Sequence, residues 1–122
     1  MTGALALAVG FGDRTLQASA SPTSVTGAYN GSSTSPQNIT TGNVLASAVG
    51  GRAPYTYAWS QLGASPDTWT IGSSTSAITS FTAQSIGPGS AAFAQFLVTV
   101  TDAVGMTASA VVNAEANNRS TA

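Results

Sequence analysis

Phe96-Leu97-Val98-Thr99-Val100-Thr101-Asp102-Ala103-Val104-Gly105 is the stretch that decides how this chain folds. Phe96, Val98 and Val100 alternate with Leu97, Thr99 and Thr101, the period of a strand with one face on a core. Asp102 to Gly105 supply turn residues, and residues 106–113 run back with the same Val-rich composition, so the segment predicts an antiparallel hairpin over residues 93–113.

Outward from that hairpin the signals repeat. Tyr55, Tyr57 and Trp59 share one face of a strand over residues 55–61, with Pro54 at its start. Residues 43–49 read as a strand stopped by Gly50-Gly51, with shorter strands at residues 16–20, 37–41, 68–71 and 77–82. Gly72-Ser73-Ser74 and Gly87-Pro88-Gly89 break the chain between them. No segment carries a sustained helical stripe. About seven short strands with a turn signal roughly every ten residues predict an all-β chain, and a sandwich rather than an alternating α/β fold. The expected division is residues 1–15 as an arm or first strand, 16–116 as the sandwich and 117–122 as a frayed tail.

The composition narrows function by exclusion. The chain has 122 residues, enough for one core. Its charged fraction is 6%, against roughly 25% in an average protein, so Ser, Thr, Ala, Gly and Asn must cover the surface. There is no Lys, His or Cys, and Arg14, Arg52 and Arg119 are scattered, so the clustered cations that nucleic acid needs are missing. Without Cys there is neither a disulfide nor a thiolate metal site.

Enzyme chemistry is equally starved. A Ser or Thr nucleophile would need a base, and only Asp13, Asp67, Asp102 and Glu115 could supply one. They fall in separate parts of the strand map, which argues against a carboxylate pair and against calcium. No cofactor is expected either, since neither Gly-rich loop is followed by a Lys or a helix. Among the aromatic residues, Trp69 is the best candidate to face solvent and, with Arg52, to grip a sugar. Asn30-Gly31-Ser32, Asn38-Ile39-Thr40 and Asn118-Arg119-Ser120 match the glycan acceptor pattern at a frequency this composition produces by chance.

The beginning of the chain adds a second feature. Leu5, Leu7, Val9 and Phe11 alternate with Ala4, Ala6, Ala8 and Gly10, as in a half-buried strand. The segment is either the domain's own first strand or an arm that pairs with a neighbouring subunit. No Lys or Arg precedes it, which disfavours a cleaved signal. It is also shorter than the roughly 20 apolar residues of a spanning helix, so no membrane partner is expected.

Val44-Leu45-Ala46-Ser47-Ala48-Val49-Gly50-Gly51, Pro54-Tyr55-Thr56-Tyr57-Ala58-Trp59 and the stretch quoted first together resemble an immunoglobulin-like or PKD-like domain. That resemblance implies an antiparallel sandwich in which Trp59 packs between the strands carrying Ala46 and Val98. Antibody domains place cysteines near those two positions; here the pair is apolar, so the ~2 to 4 kcal/mol of a disulfide is forgone. Phe96 stands where such domains often carry a tyrosine, and Val100 continues the same core face.

With its Ser/Thr/Gly-rich opening at residues 19–41, the chain is further similar to immunoglobulin-like domains of tailed-phage virion proteins, over about residues 16–116. The likeness implies a non-enzymatic virion structural protein on the particle surface. A head decoration or cement protein leads, anchored through Leu5, Leu7, Val9 and Phe11 to other virion subunits, the major capsid protein first, or to copies of itself. The alternatives are a tail-associated accessory domain, and a carbohydrate-binding or adhesion module with Arg52 and Trp69 as contacts.

Overall fold

The structure, a computed structural model, describes residues 15–121. The arm residues Leu5, Leu7, Val9 and Phe11 lie outside the described residues.

The chain is all-β. The strands are β1 (Gln17–Ser21), β2 (Ser24–Tyr29), β3 (Gln37–Thr40), β4 (Val44–Val49) and β5 (Thr56–Leu62), then β6 (Trp69–Ile71), β7 (Ile78–Thr79), β8 (Phe81–Ile86), β9 (Ala91–Thr101) and β10 (Thr107–Asn118). They form a four-stranded sheet in the order β2-β10-β9-β5 and two three-stranded sheets, β1-β4-β7 and β3-β8-β6. The expected hairpin is β9 and β10, antiparallel from Ala91 opposite Asn117 to Thr101 opposite Thr107. β5 lies on the other side of β9, with Trp59 opposite Val98. β2 runs parallel to β10, whereas β1 pairs antiparallel with β4. The opening of the chain therefore divides between two sheets.

One core joins the three sheets. Trp59, Phe96, Val98 and Val100 are buried in it, as the alternation predicts, Ala46 is buried with them, as the resemblance implies, and Tyr55 and Tyr57 pack half-buried against it. Phe81 and Phe96 stack with centroids 3.9 Å apart. Trp59 and Phe81 pack edge-to-face with centroids 5.6 Å apart, and Trp69 and Phe96 do so at 5.7 Å. Each tryptophan thus packs on the phenylalanine of the other sheet, since Trp59 and Phe96 belong to the four-stranded sheet and Trp69 and Phe81 to β3-β8-β6. Edge-to-face contacts of this kind contribute beyond the area they bury.

Three expectations about the elements are corrected. Residues 77–82 are not one strand: Ile78 pairs with Leu45 of β4, and after Ser80 the chain crosses to pair with β3 and β6. Inward-facing Thr79, Phe81 and Ala83 keep the period 2 across the crossing, so alternation cannot mark it. β2 is a strand that its Ser/Thr/Gly-rich composition concealed. It lies close on β3, and a Cβ on Gly27 would strike the Thr40 carbonyl, so only glycine fits there.

The end of the chain is the third correction. β10 continues to Asn118, which is buried and donates from Nδ2 to the Ile86 carbonyl at 2.8 Å. Arg119 N–H donates to Tyr29 O at 2.7 Å and Thr121 N–H to Gly31 O at 3.3 Å. A tail held by this many backbone hydrogen bonds is not frayed.

Candidate contact surfaces

Asp102, the charged residue of the β9–β10 turn, is built into the fold. The Asp102 carboxylate accepts from Arg52 N at 3.0 Å, Val104 N at 3.0 Å and Met106 N at 2.8 Å. Burial alone would raise its pKa, but the hydrogen bonds from Arg52, Met106, Val104 and Gly105 outweigh it and hold the carboxyl below its ordinary value. Gly51, at φ +59°, makes this approach possible, because a Cβ there would sit 2.7 Å from Asp102 Oδ2. Asp102 thus ties the 50–52 turn to the β9–β10 turn.

Arg52 and Trp69, the two expected surface contacts, part company. Arg52 is exposed beside this turn. Trp69 is a correction: it is 8% exposed, inside the core against Phe96, and cannot offer its ring to a sugar. Its strand is three residues long, flanked by loop residues, so no alternation existed to show which way it faced. The acceptor-pattern asparagines divide likewise, with Asn118 buried and Asn38 accepting from Ser85 N at 2.9 Å. Among the described residues, no three His, Cys, Asp or Glu side chains gather to hold a metal ion.

What the fold does present is the outward side of its sheets. On β1-β4-β7, Leu45 and Ile78 are paired across the strands and exposed, with Val49 farther along. On β2-β10-β9-β5 the outward residues are ranked by the register: Phe93 with Glu115, Gln95 with Asn113 and Leu62, Leu97 with Val111 and Ser60, Thr99 with Ser109 and Ala58, Thr101 with Thr107 and Thr56. Phe93 is 61% exposed, Leu62 40% and Val111 39%. Leu62, Ala64, Phe93, Gln95 and Asn113 line a shallow cleft of about 260 Å³ on this side. Gln95 Nε2 donates to Asn113 Oδ1 at 2.9 Å, so the amides are ordered. Leu97 falls on the outward alternation in the sequence, but the place of Phe93, Leu62 and Val111 beside it needed the register.

No protein-family profile, curated protein or solved structure matches the chain.

Proposed function

We propose that this protein is a non-enzymatic, immunoglobulin-like contact domain and a structural component of a phage particle, with head decoration or cement as the leading role. The observation that carries the domain reading is the burial of Trp59 in one core with Ala46 of β4 and Val98 of β9. That is the relation the resemblance assigns to those three residues. The division of the opening strands, β1 to β4 and β2 to β10, further supports it.

Contact rather than catalysis follows from how the polar groups are used. Asp102 is occupied by backbone N–H groups, and the chain offers no His, Lys or Cys as a base or nucleophile. The virion assignment comes from the sequence resemblance, and attachment is assigned to Leu5, Leu7, Val9 and Phe11.

Deleting residues 1–12 and measuring co-sedimentation with purified capsids tests the attachment. The shortened protein is expected to keep its far-ultraviolet β signature and thermal transition while remaining in the supernatant. Undiminished capsid binding would remove the anchoring role. The carbohydrate alternative retains Arg52 and loses Trp69, the aromatic platform on which it rested.

A further inference from the structure

We propose that the Asn30-Gly31 pair is a site of self-modification, at which the asparagine closes on the glycine nitrogen, loses ammonia and reopens as isoaspartate, and that the lengthened backbone then loosens residues 119–121 from residues 29–31. This inference uses none of residues 1–14 and stands apart from the attachment to a particle.

Such a closure needs an exposed asparagine whose carboxamide is unheld, a following N–H that can turn toward it and no side chain crowding that nitrogen. Asn30 is exposed and lies just past the end of β2. Among the described residues, neither its carboxamide, its main-chain carbonyl nor the Gly31 N–H makes a hydrogen bond. The peptide unit that must rotate is thus the one left unheld, while Tyr29 O and Gly31 O on either side accept from Arg119 N at 2.7 Å and Thr121 N at 3.3 Å. Glycine leaves the attacking nitrogen uncrowded. The packing favours it too, because a Cβ at position 31 would displace the hydroxyl end of Tyr29.

Every other asparagine misses a condition. Asn38 Oδ1 accepts from Ser85 N and Asn113 Oδ1 from Gln95 Nε2, each at 2.9 Å. Asn117 is paired within the sheet to Ala91 and Ala28. Asn118 is buried with both ends of its carboxamide bonded. Asn43 is exposed, but the β-branched Val44 follows it and crowds the nitrogen.

The step balances within the chain and water. The Gly31 nitrogen bonds to Asn30 Cγ and gives up its proton, the Cγ–Nδ2 bond breaks, ammonia leaves and a succinimide ring remains. Water opens that ring. Opening at Cγ gives aspartate with the chain unchanged, whereas opening at the main-chain carbonyl gives isoaspartate, whose backbone runs on through Cβ and Cγ. One more carbon, about 1.5 Å of bond, then separates Tyr29 from Gly31. The two acceptors and their two donors now share the spacing of two residues in a strand pair. With the added carbon both hydrogen bonds cannot keep their geometry.

The folded protein incubated at mildly alkaline pH, which favours deprotonation of the glycine nitrogen, provides the test. Peptide mapping with electron-transfer fragmentation is expected to find isoaspartate at Asn30, formed at least about tenfold faster than any change at Asn43. The product adds one negative charge to a chain of formal net charge −1, so ion exchange separates it. In that product, amide exchange at Arg119, Thr121 or both should quicken at least about tenfold. The Asn118 amide, which donates to Ser90 O at 2.9 Å, should keep its protection. Freshly purified Asn30→Asp, with the charge but not the carbon, should exchange like the wild type, and Asn30→Gln should resist modification. Conversion at Asn30 no faster than at Asn43, exchange unchanged at both Arg119 and Thr121, a loss shared by Asn118 or an equal loss in Asn30→Asp would each overturn the proposal.

Discussion

Trp59 and Trp69 occupy the same core in mirrored ways. Each is buried, and each packs edge-to-face with a phenylalanine from the other's sheet. They differ at the indole nitrogen. Trp59 Nε1 donates to Ser76 O at 2.8 Å, and its backbone N–H donates to Ser74 O at 2.8 Å, so this residue also pins the loop between β6 and β7. Trp69 Nε1 is buried without a hydrogen-bond partner among the described residues. Ring packing is therefore common to both, while loop anchoring belongs to Trp59. A buried donor left unpaired subtracts from what its ring contributes.

Emptying the rings should have the largest effect. Trp59→Ala and Trp69→Ala each remove one ring from a four-ring cluster, and losses of about 3 to 5 kcal/mol are expected. Trp59→Ala should lie at the upper end, because it also leaves the Ser76 carbonyl without its donor. Urea unfolding measures both, and a larger loss for Trp69→Ala would invert the comparison.

Replacing each indole by a benzyl ring sharpens it. Trp59→Phe deletes the hydrogen bond to Ser76 O, whereas Trp69→Phe deletes an unpaired donor. Trp59→Phe should accordingly be the more destabilising by about 1 to 2 kcal/mol. Equal losses in urea would show that the nitrogen at position 59 contributes nothing.

Acid should act on one side of the comparison only, at the far end of the β9 strand that pairs with Trp59. The Asp102 carboxyl is held below its ordinary value in the folded chain. Its stabilisation is present in full above the unfolded carboxyl's pKa and is lost as pH falls through the folded one. Protection against amide exchange at Val104 and Met106, relative to the intrinsic rate at each pH, should therefore fall on acidification below about pH 4, before protection in β6 does. Asp102→Asn should flatten the acid limb of stability measured by denaturant titration. An acid limb unchanged in Asp102→Asn would locate the pH dependence elsewhere.

The same contrast explains what could be read in advance. Trp59 sits in a seven-residue strand beside Tyr55 and Tyr57, and Val98 in an eleven-residue strand. Over such lengths alternation names the inward face without any knowledge of the partner strand. Trp69 has three strand residues and no such pattern. β2, with Ser24, Thr26 and Gly27, carries little apolar signal, and its place comes from parallel pairing to the end of β10. Asn118 looked like a polar tail residue, but the carbonyl of Ile86 makes it a core residue. The outward face was half legible: Leu97 alternates with the core residues Phe96, Val98 and Val100 in the sequence, but only the β9–β10 register sets it opposite Val111 and shows which of the adjacent Val111 and Val112 faces outward.

By itself, the sequence determined the all-β class, the hairpin around Asp102 and the core positions of Trp59, Phe96, Val98 and Val100, together with the scarcity of catalytic groups. These follow from local period and composition, which each strand carries within its own residues. The tertiary structure alone decided the crossing at Ser80, the burial of Trp69 and Asn118, the pairing of β2 with β10 and the ranked outward face. Those depend on which distant segment supplies a partner for a backbone N–H or an edge for a ring. A period of two residues carries no information about that.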